Sequence, residues 1–119
     1  MGKRPTPVPG VAVRGSDTGR PIMAAMDLLG RRWALRILWE LRGGPLGARA
    51  ILARCDGLSS SVLYTRLREL ADAALIIRND DEASVLTPLG RSLGAALEPL
   101  DRWSVGWHRT LQSGRKRPG

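Results

Sequence analysis

A chain of 119 residues with 43% apolar and 25% charged residues suits one ordinary globular domain; no apolar stretch approaches the ~20 residues of a membrane span, and Lys3 and Arg4 precede no apolar signal segment, so a cytoplasmic location is expected. The lone cysteine, Cys55, excludes an internal disulfide and, with His108 the only histidine, leaves no metal site or cofactor to expect. A net charge of +8 suits a phosphate backbone, an acidic protein or an anionic membrane, and its excess falls mainly on the two ends, at Lys3, Arg4 and Arg14 and at Arg115, Lys116 and Arg117, where it can grip phosphate without reading sequence.

Residues 1–19 hold Pro5, Pro7 and Pro9, several glycines and few large apolar groups, so they are expected to form a flexible basic arm. Pro21 then opens a short helix through Ile22 to Leu29, closed by Gly30. From Arg32 to Arg42 the residues Trp33, Ile37, Leu38 and Leu41 recur at helical steps, with Arg32, Arg36 and Arg42 off that stripe. Gly43, Gly44 and Pro45 end this helix, and Ala48 to Arg54 forms another with Ile51 and Leu52 inward. Asp56 and Gly57 make a turn, Leu58 anchors it, and Ser59 is placed to cap the next helix. In SSSVLYTRLRELADAAL, Leu63, Leu67, Leu70 and either Leu75 or Ala74 form the inward stripe. Ser60, Ser61, Tyr64, Thr65 and Arg68 point elsewhere. Two short helices across a tight glycine turn have the helix-turn-helix pattern, the second free to enter a major groove.

Downstream, Leu75 to Ile77 and Ser84 to Leu86 are β-prone runs separated by the polar turn Asn79 to Glu82, which predicts a small hairpin. A last helix is expected from about Pro88 towards Leu111, with Leu89, Leu93, Leu97, Leu100, Trp103 or Ser104, Trp107 and Leu111 on one face. Pro99 inside it is a candidate kink or break. Residues 113–119 are expected to form a basic disordered tail. The fold class is therefore mainly α with a β-hairpin wing.

The segments LLGRRWALRILWEL (28–41), GGPLGARAI (43–51), GLSSSVLYTRLREL (57–70) and LTPLGRSL (86–93) together resemble the HxlR-like transcription regulators, relatives of the MarR type. The resemblance spans roughly residues 20–111. It implies a winged helix-turn-helix domain, here residues 20–112, that dimerises through its terminal helices and places two recognition helices on an inverted-repeat DNA operator. The direction of regulation is left open by the resemblance, with repression the expectation. The chain departs from the family pattern at three places. Arg20 stands where many members carry a cysteine before the first-helix proline, the wing is short and carries Asp80, Asp81 and Glu82, and Gly47 and Ala48 replace a basic and an aromatic residue.

These readings single out Ser59, Ser60, Ser61, Tyr64, Thr65 and Arg68 for double-stranded DNA, short hydroxyls and an arginine being able to approach base edges and phosphates. Arg68 could read guanine or grip phosphate, while Arg66 could support its helix by pairing with Glu69 or Asp72. Arg31, Arg32 and Arg49 are candidate phosphate contacts. Trp33, Trp39, Trp103 and Trp107 fit either a core and dimer interface or a pocket that stacks a flat aromatic effector. Cys55 reads as a small buried filler, although neighbouring Arg54 could lower its pKa. No nucleophile, acid–base pair or phosphate-cradling loop is evident, so an enzyme is not expected. Two other classes fit less well: a degenerate winged helix that binds protein, suggested by the acidic wing, and an RNA-binding module, for which stacking aromatics are lacking.

Overall fold

The computed structural model describes residues 5–12 and 19–116. The order is α1 (Pro21–Leu29), α2 (Ala34–Leu41), α3 (Ala48–Arg54), α4 (Ser60–Asp72), β1 (Ile76–Arg78), β2 (Ser84–Leu86) and α5 (Pro88–Lys116). Helices α1 to α4 and the hairpin enclose one core, in which Ile37, Leu41, Ile51, Leu63 and Leu70 are fully buried. These residues supply the apolar stripes expected of α2, α3 and α4, so burial follows the 3.6-residue period. Leu75, and not Ala74, completes the α4 stripe.

Two helix ends depart from the sequence reading. Helix α2 begins at Ala34, because Trp33 takes the left-handed N-cap conformation (φ 76°) and lies outside the helix. Its ring packs partly buried against the core and faces Gly57 in the turn between α3 and α4. Gly57 itself has φ 91°, where a side chain would be strained. At the other end of α4, Ala74 adopts φ 64° while Leu75 N–H bonds Leu70 C=O and Ala74 N–H bonds Ala71 C=O. This is a Schellman closure, made with alanine where glycine is the usual residue.

The hairpin pairs Ile76 with Leu86 and Arg78 with Ser84. Leu46 adds a bridge to Ser84 through two backbone hydrogen bonds of 3.1 and 2.8 Å, a third short edge that the sequence gives no sign of. Asn79 organises the turn, its side-chain oxygen accepting from the N–H groups of Asp81 and Ala83. Thr87 then starts α5, accepting from Gly90 N–H and donating to Ala74 C=O. A β-carbon on Gly90 would lie 2.2 Å from Leu75 O, so the helix can sit this close to the wing only with glycine there.

Helix α5 is continuous through Pro99 over 29 residues, so that proline does not split it. At 1.5 Å per residue it is about 44 Å long. It also runs to Lys116, into the segment expected to be a disordered tail. Of the expected N-terminal arm, residues 5–12 are described: Pro7 is buried and Thr6 Oγ1 donates to Asp72 at 3.0 Å, while residues 9–12 are exposed. The arm charges Lys3, Arg4, Arg14 and Arg117 are outside the described residues. Among the described residues no helix is long and apolar enough to cross a membrane.

Candidate nucleic-acid interface

The α3–turn–α4 unit is built from the turn outward. Helix α3 ends at Arg54, Leu58 N–H closes back on Cys55 C=O at 3.0 Å, and Leu58 is buried as the anchor. Ser59 is extended (φ −85°, ψ 157°) and its hydroxyl accepts from Val62 N–H at 3.3 Å, so the cap expected from the sequence is present. With Leu63, Leu67 and Leu70 held in the core, the period of α4 turns the opposite face to solvent. Ser59, Ser60, Ser61 and Arg68 are exposed there, Tyr64 is 53% exposed, and Thr65 is half-buried with its hydroxyl donating to Ser61 C=O.

The arginines from Arg32 to Arg68 differ in how far their charge is already engaged. Arg49 and Arg68 have no hydrogen-bond or ion-pair partner among the described residues, which leaves their guanidinium groups available to an anionic ligand. Arg32 is exposed, 6.0 Å from the centre of the Trp33 ring. Arg36 and Arg54 are instead engaged with Glu40, at 2.8 and 3.7 Å, and Arg36 also donates to Arg54 C=O. The Glu40 hydrogen bond holds the Arg36 pKa above its ordinary value.

Arg31 is a correction. Expected as a phosphate contact, it is 7% exposed and turned inward, paired with Glu69 of α4 and 3.9 Å from Asp27, with its other terminal nitrogen group donating to Pro5 C=O at 3.0 Å. A buried guanidinium persists only where carboxylates and carbonyls replace its water. Glu69 is 3% exposed and also receives Arg66 at 2.9 Å, and Arg66 Nε donates to Arg32 C=O at 2.6 Å. Arg66 thus supports its helix as expected, with Glu69 and not Asp72 as partner. The burial of Glu69 went unnoticed in the sequence. Helical spacing gives little signal for it, since Glu69 lies off the Leu63, Leu67 and Leu70 stripe, about 100° around the helix from both Leu70 and Arg68.

The four tryptophans do not gather at one place. Trp33 sits at the turn, and Trp39 is half-buried beneath Arg42, whose guanidinium carbon is 3.7 Å from the ring centre. Trp39 lines a cleft of about 600 Å³ between α2 and α5, with Leu38, Arg42, Arg91 and Leu97 among its other walls. Trp103 and Trp107 stack on each other with centroids 5.4 Å apart, 59% and 54% exposed. With Leu100 and Leu111 they form an uncovered apolar strip along the second half of α5, while Val105, also exposed, lies off that face. Ile22 and Met26 on α1 and Leu89 near the start of α5 are likewise exposed.

The wing turn carries Asp80, Asp81 and Glu82, all exposed, a distribution that phosphate would repel. Cys55 is fully buried, and burial pushes its thiol pKa up while Arg36, and not the neighbouring Arg54, pulls it down. It is a filler of the core.

The HxlR-like helix-turn-helix family model matches residues 28–112. A curated relative, the HTH-type transcriptional regulator YvaP of Bacillus subtilis strain 168, is 32% identical over 89 residues, which cover 70% of this chain and 82% of that protein. Among solved structures, quinone-bound YodB of B. subtilis superposes with a TM-score of 0.67 at 28% identity, covering 71% of this chain and 96% of that one. A regulator assigned to the MarR family from Enterococcus faecalis V583 gives a TM-score of 0.70 at 26% identity, covering 85% and 97%.

Proposed function

Since the chain belongs to the HxlR-like helix-turn-helix family of transcription regulators, we propose that it binds an inverted-repeat operator as a homodimer and represses by occluding the promoter. The observation that carries the reading is the two-sided α4: its leucines are buried and its serines, Tyr64 and Arg68 face solvent on a rigid, capped rod. In a twofold dimer two such rods would lie about 34 Å apart, in successive major grooves. Ser60, Ser61, Tyr64 and Arg68 then meet base edges, with Thr65 and Ser59 beside them, while Arg32 and Arg49 meet phosphate. Arg31 takes no part in that contact.

The uncovered strip of Leu100, Trp103, Trp107 and Leu111, with Ile22 and Met26 of α1, supports pairing through the terminal helices, because aromatic and aliphatic side chains of this size are the residues that anchor interfaces. Quinone-bound YodB supports a flat aromatic effector for this chain as well, stacking on Trp103 and Trp107. Tryptophan quenching by a quinone series would test it, and constant fluorescence would leave those rings a packing role only.

Selection of bound sequences from a random duplex pool tests the main reading. An inverted repeat with half-sites about one helical turn apart is the expected product. The acidic wing favours one alternative, a winged helix that binds protein instead of DNA. That alternative predicts negligible binding to any duplex at low salt, where the proposed regulator binds random DNA with a steep salt dependence.

A further inference from the structure

We infer that Glu69 is a positioning residue for the recognition helix, clamped between Arg31 and Arg66, and that residues 5 and 6 complete the clamp and so govern base discrimination without touching bases. The inference rests on reading α4 as the helix that enters the groove. Its observations are independent of that reading.

The apolar stripe of α4 gives it a buried face but little directional restraint, since leucine contacts tolerate small slides and rotations. Direction comes from polar bonds. Glu69 reaches Arg31 and Arg66 reaches Arg32 C=O, so two neighbouring turns of α4 are fastened to the α1–α2 connection at adjacent residues. The Nε of Arg31 is buried without a partner among the described residues, so this guanidinium depends on Glu69, Asp27 and Pro5 for its polar environment.

The N-terminal segment supplies the remaining two restraints. Pro5 C=O accepts from Arg31, and Thr6 Oγ1 donates to Asp72, the last residue of α4. Pro7 is buried behind them, and prolines at 5, 7 and 9 pre-set the backbone of the strap, which lowers the entropy lost when it docks. On the same helix Arg68 adjoins Glu69 and lies about one turn before Asp72, and Tyr64 lies about one turn further back. Binding groups must be held to about 0.5 Å to be productive, so releasing the clamp blurs discrimination before it abolishes binding.

The experiment uses the full chain, a duplex selected by the wild type from a random pool, and a random-sequence duplex of equal length. Thr6→Val and Glu69→Gln are expected to lower the ratio of selected to random affinity roughly tenfold. Random-duplex affinity should hold. The salt dependence of Thr6→Val should also be unchanged, because no charge is altered. Amide exchange in residues 60–72 should quicken in both variants, and Thr6→Ser, which keeps the hydroxyl, should restore the wild-type ratio.

If Glu69→Gln fails to fold, the half-buried Thr6 position decides alone. An unchanged ratio in Thr6→Val, or equal loss on both duplexes, overturns the inference. Should the wild type bind neither duplex, the reading of α4 fails by itself; exchange in residues 60–72 then judges the clamp, and unchanged exchange overturns it.

Discussion

Helices α4 and α5 carry the same kind of signal, large apolar residues at three- and four-residue steps, and meet opposite fates. In α4 the stripe is closed over by the chain's own α2, α3 and hairpin, and Leu63 and Leu70 are fully buried. In α5 Leu93 and Leu97 are half-buried, but beyond Pro99 the stripe of Leu100, Trp103, Trp107 and Leu111 is exposed. An apolar period says that a face should be covered; it does not say by which chain. Helix α4 organises the subunit, and the exposed stripe of α5 is the face on which the proposed dimer would form.

The largest expected effect tests the closed stripe. Leu63→Ala should destabilise the subunit by about 2–5 kcal/mol in denaturant unfolding, through lost transfer energy and the cavity left behind. A loss well under ~1 kcal/mol would mean that α4 does not build the core, and the contrast would collapse.

Trp103→Ala tests the open stripe. It should weaken self-association by about 2 kcal/mol or more, read by sedimentation equilibrium, while changing the unfolding of the separated subunit little. If it instead unfolds the subunit and leaves the mass unchanged, α5 is core like α4 and the distinction disappears.

The outward side of α4 gives a sharper contrast. Tyr64→Ala and Arg68→Ala should each relax sequence preference by about 1–3 kcal/mol, measured on operator variants. Arg49→Ala on α3 should weaken all duplexes alike and lower the salt slope by about one. Equal losses for all three would reduce Tyr64 and Arg68 to backbone contacts.

The smallest effect concerns the end of α4. Ala74→Gly should stabilise the subunit by up to about 1 kcal/mol, because alanine pays a steric penalty at φ 64° that exceeds the chain entropy glycine loses. A destabilised variant would show that the methyl group packs against something.

Much of this was legible beforehand. The order of helices and hairpin, the Ser59 cap, the inward leucines of α4 and the exposure of Ser60, Tyr64 and Arg68 all follow from period, caps and turn residues, which act over a few positions. Trp33 misled because its spacing fits the α2 stripe while its backbone is left-handed, a choice made by packing against the Gly57 turn. Arg31 misled because an arginine among arginines resembles surface charge. Its partner Glu69 lies 38 positions along the chain, beyond any local pattern.

Local chemistry, then, was enough to specify which elements form and which face of each is greasy, because helix period, capping and glycine turns are decided within one or two turns of chain. Which charges go inside, and how residues 5 and 6 fasten onto Arg31 and the end of α4, were decided only when distant segments met. A buried ion pair has no sequence period, and its stability depends on a carboxylate and a guanidinium arriving together where water has left.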